Sequence, residues 1–270
     1  MIGDEVDPAP TPFAELNGLL LEIAAHAQRV FLDDLVGVYL QGSFALGAAD
    51  LHSDCDFLVV VRAPVTAAQE AHVRRLHDDI PTRSGHWVHH LEGSYPVASE
   101  LRTLDAMGRP WLFIDHGWRE MQWDVHCNNE VARWILRNHG IRVVGPPTQE
   151  LVDPIPSEAM RQGAKAAIPT AIRDIEGWVS LDLAWGQRYA VVTMCRLLYT
   201  LETAEVASKR RAVLWALERI GPEWHPLLIS AMEGRALGWN PEHRADSDEV
   251  ALTRSFADHV VARSVGLASA

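Results

Sequence analysis

"LQGSFALGAADLHSDCDFLVVV", residues 40–61, joins a glycine–serine pair to two aspartates that open an apolar run. The run at residues 57–61 has the length and the β-branched content of a buried strand. Buried strands rarely begin with two carboxylates, because burying a charge is costly unless a partner compensates it. Asp54 and Asp56 are therefore candidates for a functional site.

The spacing of these two aspartates favours a shared cation. Alternate residues of a strand face the same side, so both carboxylates project together and repel each other unless a cation lies between them. Mg²⁺ prefers carboxylate oxygens and substrate phosphates. Gly42 permits a close approach of the backbone, and Ser43 can donate a hydrogen bond to a phosphate. The alternative is a solvated loop or a helix cap, which is the commoner fate of an isolated Asp-x-Asp.

Composition limits the class of partner. The chain has 270 residues, 48% of them hydrophobic, which is enough for one large or two ordinary domains. Its formal charge is −12, which disfavours nucleic acid and favours a cationic small molecule. The three cysteines form no CxxC pair, so we expect neither a disulfide framework nor a zinc site. No signal peptide or membrane span is expected, so we predict a cytoplasmic protein.

The first half of the chain alternates between helical and strand patterns. Residues 4–12 are acidic and proline-rich and are expected to form a loose tail. The patterns predict helices at residues 13–31, 66–80 and 128–139, the last ended by Gly140, and strands at residues 36–40, 57–61, 86–93, 109–115 and 141–144.

The character of the sequence changes after residues 151–156, LVDPIP. Beyond them the pattern predicts only helices, at residues 158–178, 184–203, 208–220, 224–237 and 247–265. We therefore predict an α+β protein with a mixed sheet and flanking helices at residues 1–156 and an α-helical bundle at residues 157–270.

Thirteen histidines raise the question of a metal site, above all the adjacent pair His89 and His90. Adjacent residues of a strand face opposite sides, so the two are not expected to share one ion. The chain contains no HExxH motif. We interpret most of the histidines as surface or packing residues.

The order strand, Gly-Ser, ten residues (44–53), Asp-x-Asp, strand resembles the nucleotidyltransferase superfamily of the DNA polymerase β type. The resemblance implies a mixed sheet flanked by helices and nucleotidyl transfer from a nucleoside triphosphate. It also implies a third carboxylate on a later strand. Glu92 is the best candidate, and Glu100 and Asp115 are alternatives. Without the resemblance, Glu92 would be interpreted as an exposed acid at a strand end.

The second half resembles the helical domain of aminoglycoside adenylyltransferases that modify streptomycin and spectinomycin. Residues 188–220 carry the features of that domain, which are Arg196, Tyr199, Ser208-Lys209 and Trp215-Ala216. Residues 143–156 resemble the connector between the two domains of that family. The resemblance covers residues 36–236.

The resemblance implies a role for each matching residue. Asp54, Asp56 and Glu92 would bind Mg²⁺, and Glu92 would also be the general base that takes the proton from the acceptor hydroxyl. ATP would be the nucleotide substrate, and Lys209 would reach its phosphates from the helical domain. The full set assigned to nucleotide binding is Gly42, Ser43, Ser53, Asn128, Arg196 and Lys209.

Two of these assignments have alternatives, and a third residue departs from the pattern of the family. Lys209 could be an ordinary solvated lysine at a helix start. Asn128 stands where the family has an aspartate that contacts the nucleotide. Arg196 either helps with phosphate binding or pairs with an acid inside the helical domain.

The acceptor site is implied by residues 176–188, EGWVSLDLAWGQR. Trp178 and Asp182 resemble the family's drug-contacting tryptophan and aspartate, and Trp118 is a further aromatic candidate. An indole face and a carboxylate suit a polyhydroxylated cation. Core packing is the alternative for Trp178. Gly186 stands where the family has an acid tied to streptomycin, which favours spectinomycin as the acceptor and leaves room for another one.

We therefore predict a cytoplasmic, monomeric adenylyltransferase that uses Mg²⁺ and ATP and binds neither nucleic acid nor membrane. The acceptor is expected in an acidic cleft between the domains. One alternative keeps the chemistry and changes the acceptor to another metabolite or to a protein hydroxyl. Another is a non-catalytic nucleotide sensor or antitoxin-like module, which would have little need for a base beside two metal ligands.

Overall fold

The computed structural model describes residues 9–267, so residues 4–8 of the expected tail lie outside the described part of the chain. The chain divides into two units after Ile155. The first unit contains β1 (Leu35–Leu40), β2 (Cys55–Val61), β3 (Leu91–Tyr95), β4 (Trp111–Ile114), β5 (Gln122–Asp124) and β6 (Ile141–Val144). Its helices are α1 (Ala14–Phe31), α2 (Gly42–Ala45), α3 (Ala67–Asp79), α4 (Ala98–Arg102), α5 (Glu130–His139) and α6 (Thr148–Leu151).

The six strands form one mixed sheet in the order β5-β4-β3-β2-β1-β6. The central pair β2 and β3 is parallel, and the other neighbouring pairs are antiparallel. Together with the helices around it, this sheet confirms the predicted α+β class.

Both faces of strand β2 are covered, which explains its unbroken apolar run. Phe57 and Val59 belong to a core cluster that also contains the buried face of α1. Leu58 and Val60 belong to a second cluster on the other face, with Trp111 of β4 and Leu136 of α5.

The predicted helices at residues 13–31 and 66–80 are confirmed as α1 and α3. Helix α3 begins with a capping box between Thr66 and Gln69. Helix α5 ends at His139, as expected, but Gly140 has φ −53° and does not use the left-handed conformation that glycine usually supplies at a helix end.

The strand predicted over residues 86–93 is wrong in its first half. Residues Trp87–His89 form a 3₁₀ turn, and the strand begins only at Leu91. Trp87 and Val88 are both buried, and the turn packs them into the core cluster that contains the buried face of α1. Strand β5, a short segment at the sheet edge, was not predicted.

The second unit is helical, with α7 (Ser157–Ala167), α8 (Ala171–Glu176), α9 (Ala184–Thr203), α10 (Lys209–Leu217), α11 (His225–Glu233) and α12 (Ser247–Leu267). Helix α9 is central, and α7, α8, α10, α11 and α12 pack against it. The helix predicted over residues 158–178 is two helices, because Pro169 lies in its middle and proline breaks a helix interior. Among residues 9–267, no helix has both the length and the apolar character needed to cross a bilayer.

Candidate active site

The three predicted carboxylates lie on the two parallel strands at the centre of the sheet. Asp54 immediately precedes β2, and Asp56 is its second residue. Asp56 pairs in register with Glu92 of β3. Neighbouring strands lie about 4.8 Å apart, so their side chains on the same face are close. The structure thus places Glu92 beside Asp56, and its role as the third carboxylate stays a prediction.

Of the two alternatives to Glu92, Glu100 is engaged elsewhere, whereas Asp115 follows β4 and its charge helps to raise the pKa of His126. The Glu100 carboxylate accepts a hydrogen bond from Nε1 of Trp111 at 3.0 Å and pairs with Arg109 at 3.2 Å. Asp115 accepts a hydrogen bond from the backbone N–H of the next residue at 2.7 Å. Neither is in register with Asp56, which supports the choice of Glu92.

The Gly-Ser pair follows β1 and lies against Asp56. The backbone N–H of Gln41 donates to the carbonyl oxygen of Asp56 at 2.9 Å. This hydrogen bond holds the turn that contains Gly42 and Ser43 against strand β2. Gly42 has φ +59°, and a Cβ at this position would overlap the Asp56 carboxylate. Glycine is therefore required here on two grounds, its backbone conformation and the space that Asp56 occupies.

Ser43 and Ser53 differ in how their hydroxyl groups are used. The Ser43 hydroxyl oxygen is buried and has no hydrogen-bond partner within residues 9–267. The Ser53 hydroxyl donates to the Asp50 carboxylate at 3.2 Å and closes the loop before β2. Ser43 is thus the more available donor for a phosphate, whereas Ser53 shapes the loop that carries Asp54.

Two histidines contact the carboxylates. His116 forms an ion pair with Asp54 through Nδ1, and Nε2 of His126 lies 3.2 Å from a carboxylate oxygen of Glu92. Each contact raises the pKa of the histidine, because the hydrogen bond to the carboxylate stabilises the charged imidazole. Neither histidine was predicted, since neither lies in a recognisable motif.

His90 adjoins this group, with its ring centroid 4.7 Å from that of His116. Burial, followed by the neighbouring histidines, lowers the pKa of His90 to about 4, so its imidazole is neutral at pH 7. With most of the histidines, His90 was expected to be a surface or packing residue, and the structure packs it against His116 beside Asp54.

Asn128 is buried in the loop before α5, and its amide holds that loop together. Its Nδ2 donates to the carbonyl oxygens of Ala106 and Arg109, at 2.8 Å each. Its Oδ1 is buried without a hydrogen-bond partner within residues 9–267. The amide nitrogen therefore has a structural task, and a nucleotide contact for this residue stays a prediction.

The basic residues assigned to nucleotide binding lie in the helical unit. Lys209 is the first residue of α10. Ser208 caps the N-terminus of this helix, because its hydroxyl accepts a hydrogen bond from the backbone N–H of Arg211. Nζ of Lys209 lies 5.9 Å from the ring centroid of Tyr189. In Arg196, on α9, Nε is buried without a hydrogen-bond partner within residues 9–267. The nucleotide contacts of both residues stay predictions.

The tryptophans assigned to the acceptor are exposed. Trp178 is 57% exposed and Trp118 is 52% exposed, so core packing is the wrong interpretation of Trp178. The Trp178 ring lies 5.2 Å from the Tyr189 ring and 5.9 Å from the Trp185 ring, measured between centroids. Its neighbours were not predicted, although the spacing of residues 185 and 189 along one helix face could have indicated them.

Asp182 and Gly186 lie close to this aromatic group in sequence. The Asp182 side chain is exposed in the turn before α9, where its backbone N–H donates to the Ser180 hydroxyl at 3.1 Å. Gly186 is buried, and a Cβ there would lie 2.5 Å from the carbonyl oxygen of Ser180. The packing of α9 against this turn therefore leaves no room for an acid at position 186.

Comparisons with known proteins show what the chain is similar to. Residues 150–263 match the family model for the C-terminal domain of aminoglycoside adenylyltransferase. The chain is 28% identical over 277 residues to an aminoglycoside (3'') (9) adenylyltransferase of Rhizobium radiobacter, covering 93% of this chain and 95% of that one. It is 25% identical over 239 residues to a spectinomycin 9-adenylyltransferase of Staphylococcus aureus, covering 81% and 86%.

A solved structure shares the fold. It is the spectinomycin adenyltransferase AAD(9) from Enterococcus faecialis with ATP and spectinomycin, with a TM-score of 0.67 and 19% identity over 92% of this chain and 99% of that one. This likeness shows that the chain has the same fold, in which a six-stranded mixed sheet is followed by a helical unit. In sequence, the chain is similar to aminoglycoside adenylyltransferases, through the family model over residues 150–263 and through the relatives named above.

Proposed function

We propose that the protein transfers AMP from ATP to a hydroxyl group of an aminoglycoside or aminocyclitol antibiotic, spectinomycin or streptomycin, and so confers resistance to it. The observation that carries this proposal is the register of Asp56 with Glu92, beside Asp54, on parallel strands. The names of the relatives supply the acceptor class.

The carboxylates have the chemistry that Mg²⁺ requires, since this ion prefers hard oxygen ligands. Asp54 and Asp56 would hold it, with Glu92 as a third ligand. Bound there, Mg²⁺ would neutralise charge on the triphosphate. The backbone at Gly42 leaves space for the Asp56 carboxylate, and the unpartnered Ser43 hydroxyl can donate to a phosphate oxygen.

Glu92 takes the proton of the acceptor hydroxyl as its oxygen attacks the α-phosphorus of ATP. The bond from that phosphorus to the bridging oxygen breaks, and pyrophosphate leaves with the electron pair. AMP is then attached to the acceptor oxygen. Most of the acceleration would come from the positioning of the reactants and from fixed charges around the phosphates.

The helical unit would supply the acceptor contacts and the cation for the phosphates. The exposed indole of Trp178 offers a face for the sugar ring and its ammonium groups, and Asp182 offers a carboxylate to them. The net charge of −12 favours such a cationic acceptor. Lys209 would pair with the phosphates of ATP.

The test measures pyrophosphate release from Mg·ATP with spectinomycin, with streptomycin and without acceptor. We expect release that depends on the drug and is lost in Glu92→Gln. Glu120→Gln is the matched control, because Glu120 is an exposed acid of the same unit. If neither drug increases pyrophosphate release above the level without acceptor, the acceptor is another hydroxyl compound. If the protein binds ATP and releases no pyrophosphate at all, it is a binding module.

A further inference from the structure

Three potential metal ligands meet at one edge of the sheet. Asp54 directly precedes β2, His90 directly precedes β3, and His116 follows β4 by two residues. Because β2 and β3 are parallel, their first residues lie at the same edge. Because β4 is antiparallel to β3, its last residues reach that edge too.

The register makes the meeting close. Cys55 pairs with Leu91, so the residues before them, Asp54 and His90, are neighbours across the strands. One oxygen or nitrogen atom from each of Asp54, His90 and His116 lies within 4.8 Å of the others. Two ligand atoms bound to one ion at about 2.1 Å are at most about 4.2 Å apart, so small side-chain rotations would close this group on a metal.

The donor atoms are not those of a pure magnesium site. Mg²⁺ is bound mainly by oxygens, whereas imidazole nitrogen suits first-row transition ions such as Co²⁺ and Zn²⁺. In His90, Nδ1 is buried and has no hydrogen-bond partner within residues 9–267. A bound ion would give this atom a partner.

We propose that Asp54, His90 and His116 form a mixed nitrogen–oxygen site for a divalent transition ion of the Co²⁺ and Zn²⁺ type, which it binds in preference to Mg²⁺. The site shares Asp54 with the magnesium site of the proposed function, so the two ions would compete there. It does not depend on AMP transfer, because the free protein contains all three ligands.

The experiment titrates the full chain with Co²⁺, without nucleotide or acceptor, and follows the visible ligand-field spectrum. Calorimetry with Mg²⁺ gives the affinity for the oxygen-preferring ion. The variants are His90→Gln and His116→Gln, and circular dichroism checks that each is folded. The matched control is His89→Gln, because His89 is an exposed neighbour outside the group.

We expect the wild type to bind Co²⁺ about tenfold or more tightly than Mg²⁺, with a spectrum distinct from that of the hydrated ion. Each variant should lose about tenfold or more in Co²⁺ affinity and lose less for Mg²⁺, while His89→Gln matches the wild type. A spectrum of hydrated Co²⁺ only, or wild-type affinity in both variants, would overturn the proposal. The proposed function would survive either result if drug-dependent pyrophosphate release persists. Co²⁺ binding without such release would support the metal site and contradict the proposed function.

Discussion

Replacing Gly42 with alanine tests whether the glycine–serine turn holds the Asp56 carboxylate in place. Gly42 has φ +59°, and a Cβ there would lie 2.5 Å from Cγ and 3.0 Å from Cβ of Asp56. For a residue other than glycine, the left-handed conformation alone lowers the free energy of unfolding by about 1–2 kcal/mol. Relief of the overlap would move the carboxylate by about 1 Å, and a displacement of that size costs about a hundredfold in rate.

Gly47→Ala is the matched control, because it separates backbone strain from the overlap. Gly47 has φ +63°, and its added Cβ would meet nothing within 4 Å. Both variants should therefore lose about 1–2 kcal/mol of unfolding free energy from the left-handed conformation, and Gly42→Ala should lose more because of its overlap with Asp56. Only Gly42→Ala should also lose about a hundredfold in drug-dependent pyrophosphate release.

The assay pairs urea denaturation with the rate of pyrophosphate release at saturating ATP and acceptor. Rates are compared at a temperature where both variants are folded. Equal rates in Gly42→Ala and Gly47→Ala would refute the reasoning, because the overlap with Asp56 would then have no effect on the chemistry.

Three further predictions concern stability and acceptor binding. Burial lowers the pKa of His77 to about 3. As the pH falls, the unfolded state therefore binds a proton at this histidine before the folded state does. The free energy of unfolding should then fall by up to about 1.4 kcal/mol per pH unit below about pH 6.5. Urea titrations at pH 7 and 5 should show this slope, and His77→Gln should reduce it. Arg133 is fully buried and donates to the Leu101 carbonyl at 3.1 Å, so Arg133→Met should cost about 1–3 kcal/mol, and an unchanged denaturation midpoint would contradict this. Trp178→Ala should raise the acceptor KM about tenfold with little change in the KM for ATP, and an equal rise in both would refute an acceptor role.

The spacing of apolar residues was enough to predict strand β2 and helix α1. Strand β2 was found because its apolar run is covered on both faces, and α1 because its buried residues recur at helical spacing. The Asp56–Glu92 pair came from the resemblance to nucleotidyltransferases, since the register of two strands cannot be deduced from either strand alone.

The histidines show where sequence reasoning failed. His90 and His116 are separated by two strands and a helix, and the antiparallel pairing of β3 with β4 returns the chain to the same edge. The strand predicted at residues 86–93 was used only to argue that His89 and His90 do not share one ion, and the group that the structure brings together contains His90 without His89. The break at Pro169 was readable from the sequence and was overlooked.

The central claim is that AMP, and not phosphate, moves to the antibiotic. The most direct measurement incubates the protein and spectinomycin with ATP labelled at either the α- or the γ-phosphorus, then isolates the drug. The account predicts label on the drug only from α-labelled ATP, with none in Glu92→Gln. Label from γ-labelled ATP, or an unlabelled drug in the presence of folded, ATP-binding protein, would contradict it.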